Sequence, residues 1–79
     1  SEGVLYSFSR LDGSLYSVID TERSVNRGLV IDYLKKHYTL VSADEASLQY
    51  CFTNPDKSMV ITTMKISDSY FNVNYSLVY

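Results

Sequence analysis

MVITTMKISDSYFNVNYSLVY, residues 59–79, reads as two strands joined at Ser67-Asp68-Ser69, and the way the second strand lies against the first decides the fold. From Tyr70 to Tyr79 the alternation is strict. Phe71, Val73, Tyr75, Leu77 and Tyr79 fall on one side, and Asn72, Asn74 and Ser76 on the other, because successive side chains of a strand point to opposite faces. A three-residue loop at 67–69 sets Tyr75 opposite Ile61 and Leu77 opposite Met59, which collects the large side chains on one face. A two-residue loop at Asp68-Ser69 instead sets Phe71 opposite Ile66 and Val73 opposite Met64, leaving an aromatic patch on the far side with the asparagines. The first arrangement is the usual antiparallel one, with one face on a core and one face polar.

Working outward, Ser47–Thr53 alternates in the same way, and Asn54-Pro55-Asp56-Lys57 supplies a type I turn with proline at its second position. Pairing Thr53 with Ser58 puts Leu48, Tyr50, Phe52, Met59 and Ile61 on a common face. At the other end of the chain, Val4–Arg10 and Leu15–Ile19 alternate around Asp12-Gly13. Asp-Gly between two such runs signals a hairpin, because a type I′ turn needs positive φ at both central residues. In that register Arg10 faces Leu15 and Tyr6 faces Ile19, with Val4, Tyr6, Phe8, Leu15 and Ile19 sharing one face.

Between hairpin and meander, Asp20 and Thr21 stand as N-cap candidates and Glu22 suits a first helical turn, so the pattern predicts a helix over about Glu22–His37. Its last turn carries Lys35, Lys36 and His37, favourable at the negative end of the helix dipole. Leu29, Val30, Ile31, Tyr33, Leu34, His37 and Tyr38 span an arc of roughly 200°, wider than a surface helix usually shows. The helix is therefore expected to be clasped by the sheet and touched by a loop or a partner as well. Tyr38–Ser42 reads as a short strand or extended connector, and Ala43-Asp44-Glu45-Ala46 as a turn. The expected fold is α+β, one amphipathic helix packed on an antiparallel sheet in the order β-β-α-β-β-β, with that short segment as an extra strand after the helix.

Residues 1–79 show no linker, repeat or low-complexity stretch and read as a single small domain. The absence of an initiating methionine is read as the mark of a fragment or processed part of a longer protein. A chain this short buries only about 60 to 65% of its unfolded surface, so supports beyond the core matter. Cys51 is the only cysteine, which rules out an internal disulfide, a paired-cysteine zinc site and a CxxC redox pair, and His37, the only histidine, leaves little to build another metal site from. No metal and no cofactor is expected. The net charge of −2 and the scattered lysines and arginines remove the electrostatic attraction on which nucleic-acid and anionic-membrane binding depend. The longest apolar run, Leu29-Val30-Ile31, is far short of the roughly 18 residues of a membrane span, so no direct membrane insertion is expected of this segment.

His37, at the helix end, is the candidate pH-responsive group, against its plainer reading as a ring packed on the helix surface. Cys51 offers a thiol on the face opposite Tyr50 and Phe52, with a dyad to His37 as its sharpest reading and a small strand hydrophobe as its plain one. Asp44-Glu45 is the only adjacent acid pair and sits in a turn. Asn74-Tyr75-Ser76 matches a glycosylation sequon, a pattern common by chance and here placed inside a strand. The chain is expected not to be an enzyme. Its eight tyrosines, with many serines and asparagines, are the residue types of binding surfaces, although tyrosine is also a strand former. Tyr70, Asn72, Asn74 and Ser76 are the candidate partner-contact residues.

The function these features point to is a non-catalytic protein-interaction or sensory module. It is read as the extracytoplasmic, periplasmic or secreted, domain of a membrane-anchored regulator, binding another protein chain or a small apolar ligand held between helix and sheet. The alternative is a small cytosolic phage or bacterial inhibitor or adaptor acting by surface recognition.

Overall fold

The computed structural model describes residues 3–8 and 15–77, with side chains at all of these except Ser7, Phe8 and Leu15. The elements are β1 (Gly3–Phe8), β2 (Leu15–Arg23), a 3₁₀ turn (Ser24–Asn26), α1 (Arg27–His37), β3 (Thr39–Asp44), β4 (Gln49–Thr53), β5 (Met59–Lys65) and β6 (Tyr70–Leu77). They form one antiparallel sheet in the order β1-β2-β6-β5-β4-β3 with α1 on one face. The fold is α+β. The segment after the helix, strand or connector by its sequence, is a strand and forms one edge of the sheet.

The path explains the strictness of the last strand. After the β1–β2 hairpin the helix carries the chain to the far edge, and the β3–β6 meander returns until β6 slots between β5 and β2. A strand paired on both sides must satisfy two registers and two faces at once. Ile61 stands opposite Tyr75 and Met59 opposite Leu77, the arrangement set by a three-residue loop, and the amides of Ile66 and Ser67 both donate to the Tyr70 carbonyl at 3.1 Å.

Under the helix this register assembles Phe52, Ile61, Phe71 and Val73 against Leu34, each 0 or 1% exposed, with Val30, Tyr38, Tyr50, Met59 and Tyr75 around them. Each fully buried side chain of this size contributes about 1.5–3 kcal/mol relative to leaving it exposed, and Ile31 adds a further one from the helix. Thr63 is the buried polar residue of the described set, and its hydroxyl accepts a hydrogen bond from the Tyr50 amide at 3.1 Å. These side chains, packed against one another, fill the core beneath the helix.

Three local expectations are corrected. The helix begins at Arg27, not near Glu22, because Ser17–Arg23 pairs residue by residue with Ser76–Tyr70. Asp20, Thr21 and Glu22, which by local signal cap a helix, are committed to the sheet, and the Thr21 hydroxyl bonds Asn72 at 2.7 Å. In the first hairpin Tyr6 faces Val18, and Ile19 faces Leu5, one residue from the simple register. Ser7 pairs with Ser17 and Phe8 with Leu15, so Tyr16 is an extra residue in β2 and Ile19 turns to the face opposite Val4 and Tyr6. The Asp12-Gly13 turn and the Arg10–Leu15 pairing lie outside the described residues.

In the β4–β5 hairpin Thr53 faces Val60, not Ser58. The slip is two residues, so the face assignments survive. Asn54 enlarges the loop: its Oδ1 accepts the Met59 amide at 3.0 Å and its Nδ2 donates to Ser58 at 2.8 Å. The Asn-Pro-Asp-Lys turn itself forms, with the Lys57 amide donating to the Asn54 carbonyl at 3.0 Å. Lys57 then leaves the turn at φ 61°, a left-handed conformation that glycine adopts more readily.

The wide apolar arc of the helix is only half used. Val30, Ile31, Leu34 and Tyr38 pack inward, whereas Leu29, Tyr33 and His37 are exposed, Leu29 by 74%. Six strands at about 4.8 Å spacing make a sheet roughly 24 Å wide, and a helix about 10 Å across covers less than half of it. Lys35 reaches over the Tyr50 ring, 5.6 Å from its centroid, so that flank faces β4. Tyr33 lies about 160° round the helix from Lys35, toward β6 and β2, where its phenol is among the groups acting on Tyr75.

Candidate functional site: the helix-free face of the sheet

Strand alternation places a second set of side chains on the face away from α1. β6 contributes Asn72, Asn74 and Ser76, β2 contributes Ser17, Ile19 and Thr21, and β5 contributes Thr62 and Met64. Cys51 on β4 and Ser42 on β3 continue the row, facing each other in the β3–β4 register. The twist of a sheet makes such a face concave, and here it holds an open cleft of about 410 Å³ whose lining includes Ile19, Cys51, Thr62, Met64, Asn72 and Asn74.

The polar groups on its floor are bonded in a regular pattern. Thr21 Oγ1 donates to Asn72 Oδ1 at 2.7 Å, and the hydroxyls of Ser17 and Ser76 donate to Asn74 Oδ1 at 3.2 and 3.3 Å. Both amide oxygens are therefore occupied by neighbouring hydroxyls. The two Nδ2 groups, each with two N–H donors, find no acceptor among the described residues. Ile19 and Met64 flank them with apolar surface.

At the β3 end the cleft meets Asp44. Its Oδ1 accepts the amides of Ala46 and Ser47 at 3.1 and 3.3 Å, closing the turn that leads into β4. The Ser47 hydroxyl, followed by the Ser47 amide, holds the Asp44 carboxyl below its ordinary value, so this rim carries a fixed negative charge at neutral pH.

Of the four partner-contact candidates, Asn72 and Asn74 line the cleft and Ser76 is bonded to Asn74 beside it. Tyr70 is on the same strand and side but borders a separate cavity of about 240 Å³ with Arg23, Ser24, Val25, Asp68 and Ser69. Ile19, Thr62, Met64 and Cys51 complete the cleft. Thr62 and Met64 follow from the parity of the β5–β6 register, while Ile19 was hidden by the extra residue in β2.

His37 is exposed on the helix, its ring 4.3 Å from that of Tyr33. Cys51 is half-buried on the opposite face of the sheet, so the sheet separates thiol from imidazole and a Cys51–His37 dyad does not form. Among the described residues no three His, Cys, Asp or Glu side chains come together as a metal site, and no helix is long and apolar enough to cross a membrane.

The fold and this cleft define a class, an α+β domain with one helix on a six-stranded antiparallel sheet and an open polar-floored face. Compared with protein-family models, with curated proteins and with solved structures, the chain matches none.

Proposed function

We propose that this chain is a non-catalytic binding or sensory module whose binding surface is the helix-free face of the sheet. The observation that carries the reading is the pair of amide groups of Asn72 and Asn74, whose Nδ2 donors have no acceptor among the described residues, on the floor of a cleft flanked by Ile19 and Met64. A volume of about 410 Å³ lies within the range of small-molecule sites, and so does the combination of apolar walls with a few convergent polar groups. The ligand that fits is small and largely apolar, carrying one or two hydrogen-bond acceptors such as carbonyl oxygens. A surface rich in tyrosine, serine and asparagine supports a working place outside the cytosol, as the exposed part of a membrane-anchored regulator.

The test is an amide-resolved NMR titration with a fragment set of neutral ketones, lactones and tertiary amides. Shifts confined to residues 17–21, 60–64 and 70–76, and lost in Asn74→Ala, are expected. Shifts on the helix alone, or none with any fragment, would refute the reading.

A further inference from the structure

The two edges of the sheet differ in a way that selects a partner. β3 is defended: Leu40 pairs with Phe52 and Ser42 with Cys51, so Val41 is an extra residue that breaks the ladder, and the strand ends on the charged Asp44. Bulges and charges are the usual devices that keep an edge from pairing with another chain. β1 has neither. Gly3–Phe8 contains no charge and no proline, and the irregularity in its pairing is the extra Tyr16 of β2, on the inner side. Its described side chains are apolar on both faces and half exposed: Val4 by 52%, Leu5 by 61% and Tyr6 by 57%.

We infer that β1 is a homodimerisation edge, pairing antiparallel with β1 of a second copy to make a continuous twelve-stranded sheet. The partner is argued from the strand's own sequence. A two-fold axis beside Leu5 sets Val4 opposite Tyr6 of the partner subunit, Tyr6 opposite the partner subunit's Val4, and Leu5 opposite the partner's Leu5. Aromatic against β-branched is among the favourable cross-strand pairs, and no like charges are brought together. A symmetric dimer requires this self-complementarity, and the net charge of only −2 per chain opposes it weakly.

The same pairing explains the uncovered part of the helix side. Val4 and Tyr6 lie on that side of β1 and are exposed there, and Val18 of β2, partly buried, stands beside Tyr6. Joining two copies at β1 places these two open strips side by side, away from water on their shared edge. The cleft of the opposite face lies across β2 to β3 and takes no residue from β1, so the dimer stands or falls independently of ligand binding there.

The test is sedimentation velocity of the chain from about 1 to 100 μM, spanning the micromolar dissociation constants of small interfaces. The expected result is a concentration-dependent shift to twice the chain mass, absent in Leu5→Lys, which sets two charges face to face while leaving the far-ultraviolet circular dichroism of the monomer unchanged. A chain that stays monomeric throughout, or a folded Leu5→Lys that still dimerises, overturns the inference. Register is read by oxidation in a Cys51→Ser background. Leu5→Cys places two thiols directly opposite, whereas Val4→Cys places them on the diagonal at about 8 Å between Cα atoms, beyond disulfide reach. Cross-linking at least about tenfold faster for Leu5→Cys is expected, and equal rates would overturn the proposed axis even if Leu5→Lys failed to fold.

Discussion

Ile61 and Tyr75 stand directly opposite one another on β5 and β6, and their neighbours Thr62 and Asn74 do the same on the other face. This single register sends one pair beneath the helix and the other into the cleft. A slip of one residue would exchange core and binding face along the whole of β6. The stability of the domain and the make-up of its candidate site are therefore set by the same loop, Ser67-Asp68-Ser69.

The core is small enough for one truncation to matter. Phe52 is fully buried between β3 and β5 beneath α1, and Phe52→Ala is expected to cost about 3–5 kcal/mol, most of the stability of a marginal domain. Leu29→Ala on the exposed flank of the helix is expected to change stability by less than about 0.5 kcal/mol. Urea unfolding followed by circular dichroism checks both, and similar losses for the two would show that the helix is rotated from the orientation described.

Thr63 tests the polar part of the core. Its hydroxyl accepts the Tyr50 amide at 3.1 Å, so Thr63→Val, nearly the same shape, removes that acceptor and is expected to cost about 0.5–1.5 kcal/mol. A neutral Thr63→Val in the same unfolding measurement would remove the hydroxyl from the account of the core.

Tyr75 supplies a pH signature. Burial, followed by the nearby Asp20 carboxylate, raises its phenol above the ordinary 10.0. A raised folded value means that the native state keeps this proton when the unfolded chain has lost it. The contribution is present in full below pH 10 and is lost as pH rises through the folded value. Ultraviolet titration of the tyrosines is expected to show a late-ionising group that disappears in Tyr75→Phe, and Tyr75→Phe is expected to lose less stability in the alkaline range. An unchanged titration curve would place Tyr75 in solvent.

Cys51 reports on the cleft without being assigned a role in it. Half-buried on the open face beside Thr62, it is expected to react with iodoacetamide in the folded state, more slowly than in urea. A cleft-bound fragment is expected to lower that rate further, in proportion to occupancy. A thiol as unreactive as a core residue, or one that ignores bound fragments, would put the cleft elsewhere.

The alternation of residues 70–77 carried the register of the last strand, because large and polar side chains there separate cleanly by parity. With it came the core-facing pair Phe71 and Val73 and the opposed asparagines. The apolar spacing from Leu29 to Tyr38 carried the helix, and the Asn54-Pro55 turn its hairpin, since each of these signals acts within a few residues of chain.

What only the tertiary structure decided is where such local signals lose. Asp20-Thr21-Glu22 looks like a helix start to its neighbours in sequence, but β6, some fifty residues away, offers a full ladder of hydrogen bonds that one capping bond cannot match. The extra Tyr16 moved Ile19 across the sheet into the cleft, a one-residue event that no periodicity records. The exposure of Leu29, Tyr33 and Val4 follows from width, one helix laid on six strands. Sequence by itself determined which side chains travel together on an element; the pairing of distant strands determined what each of those groups faces, because a face has no partner until the chain has closed on itself.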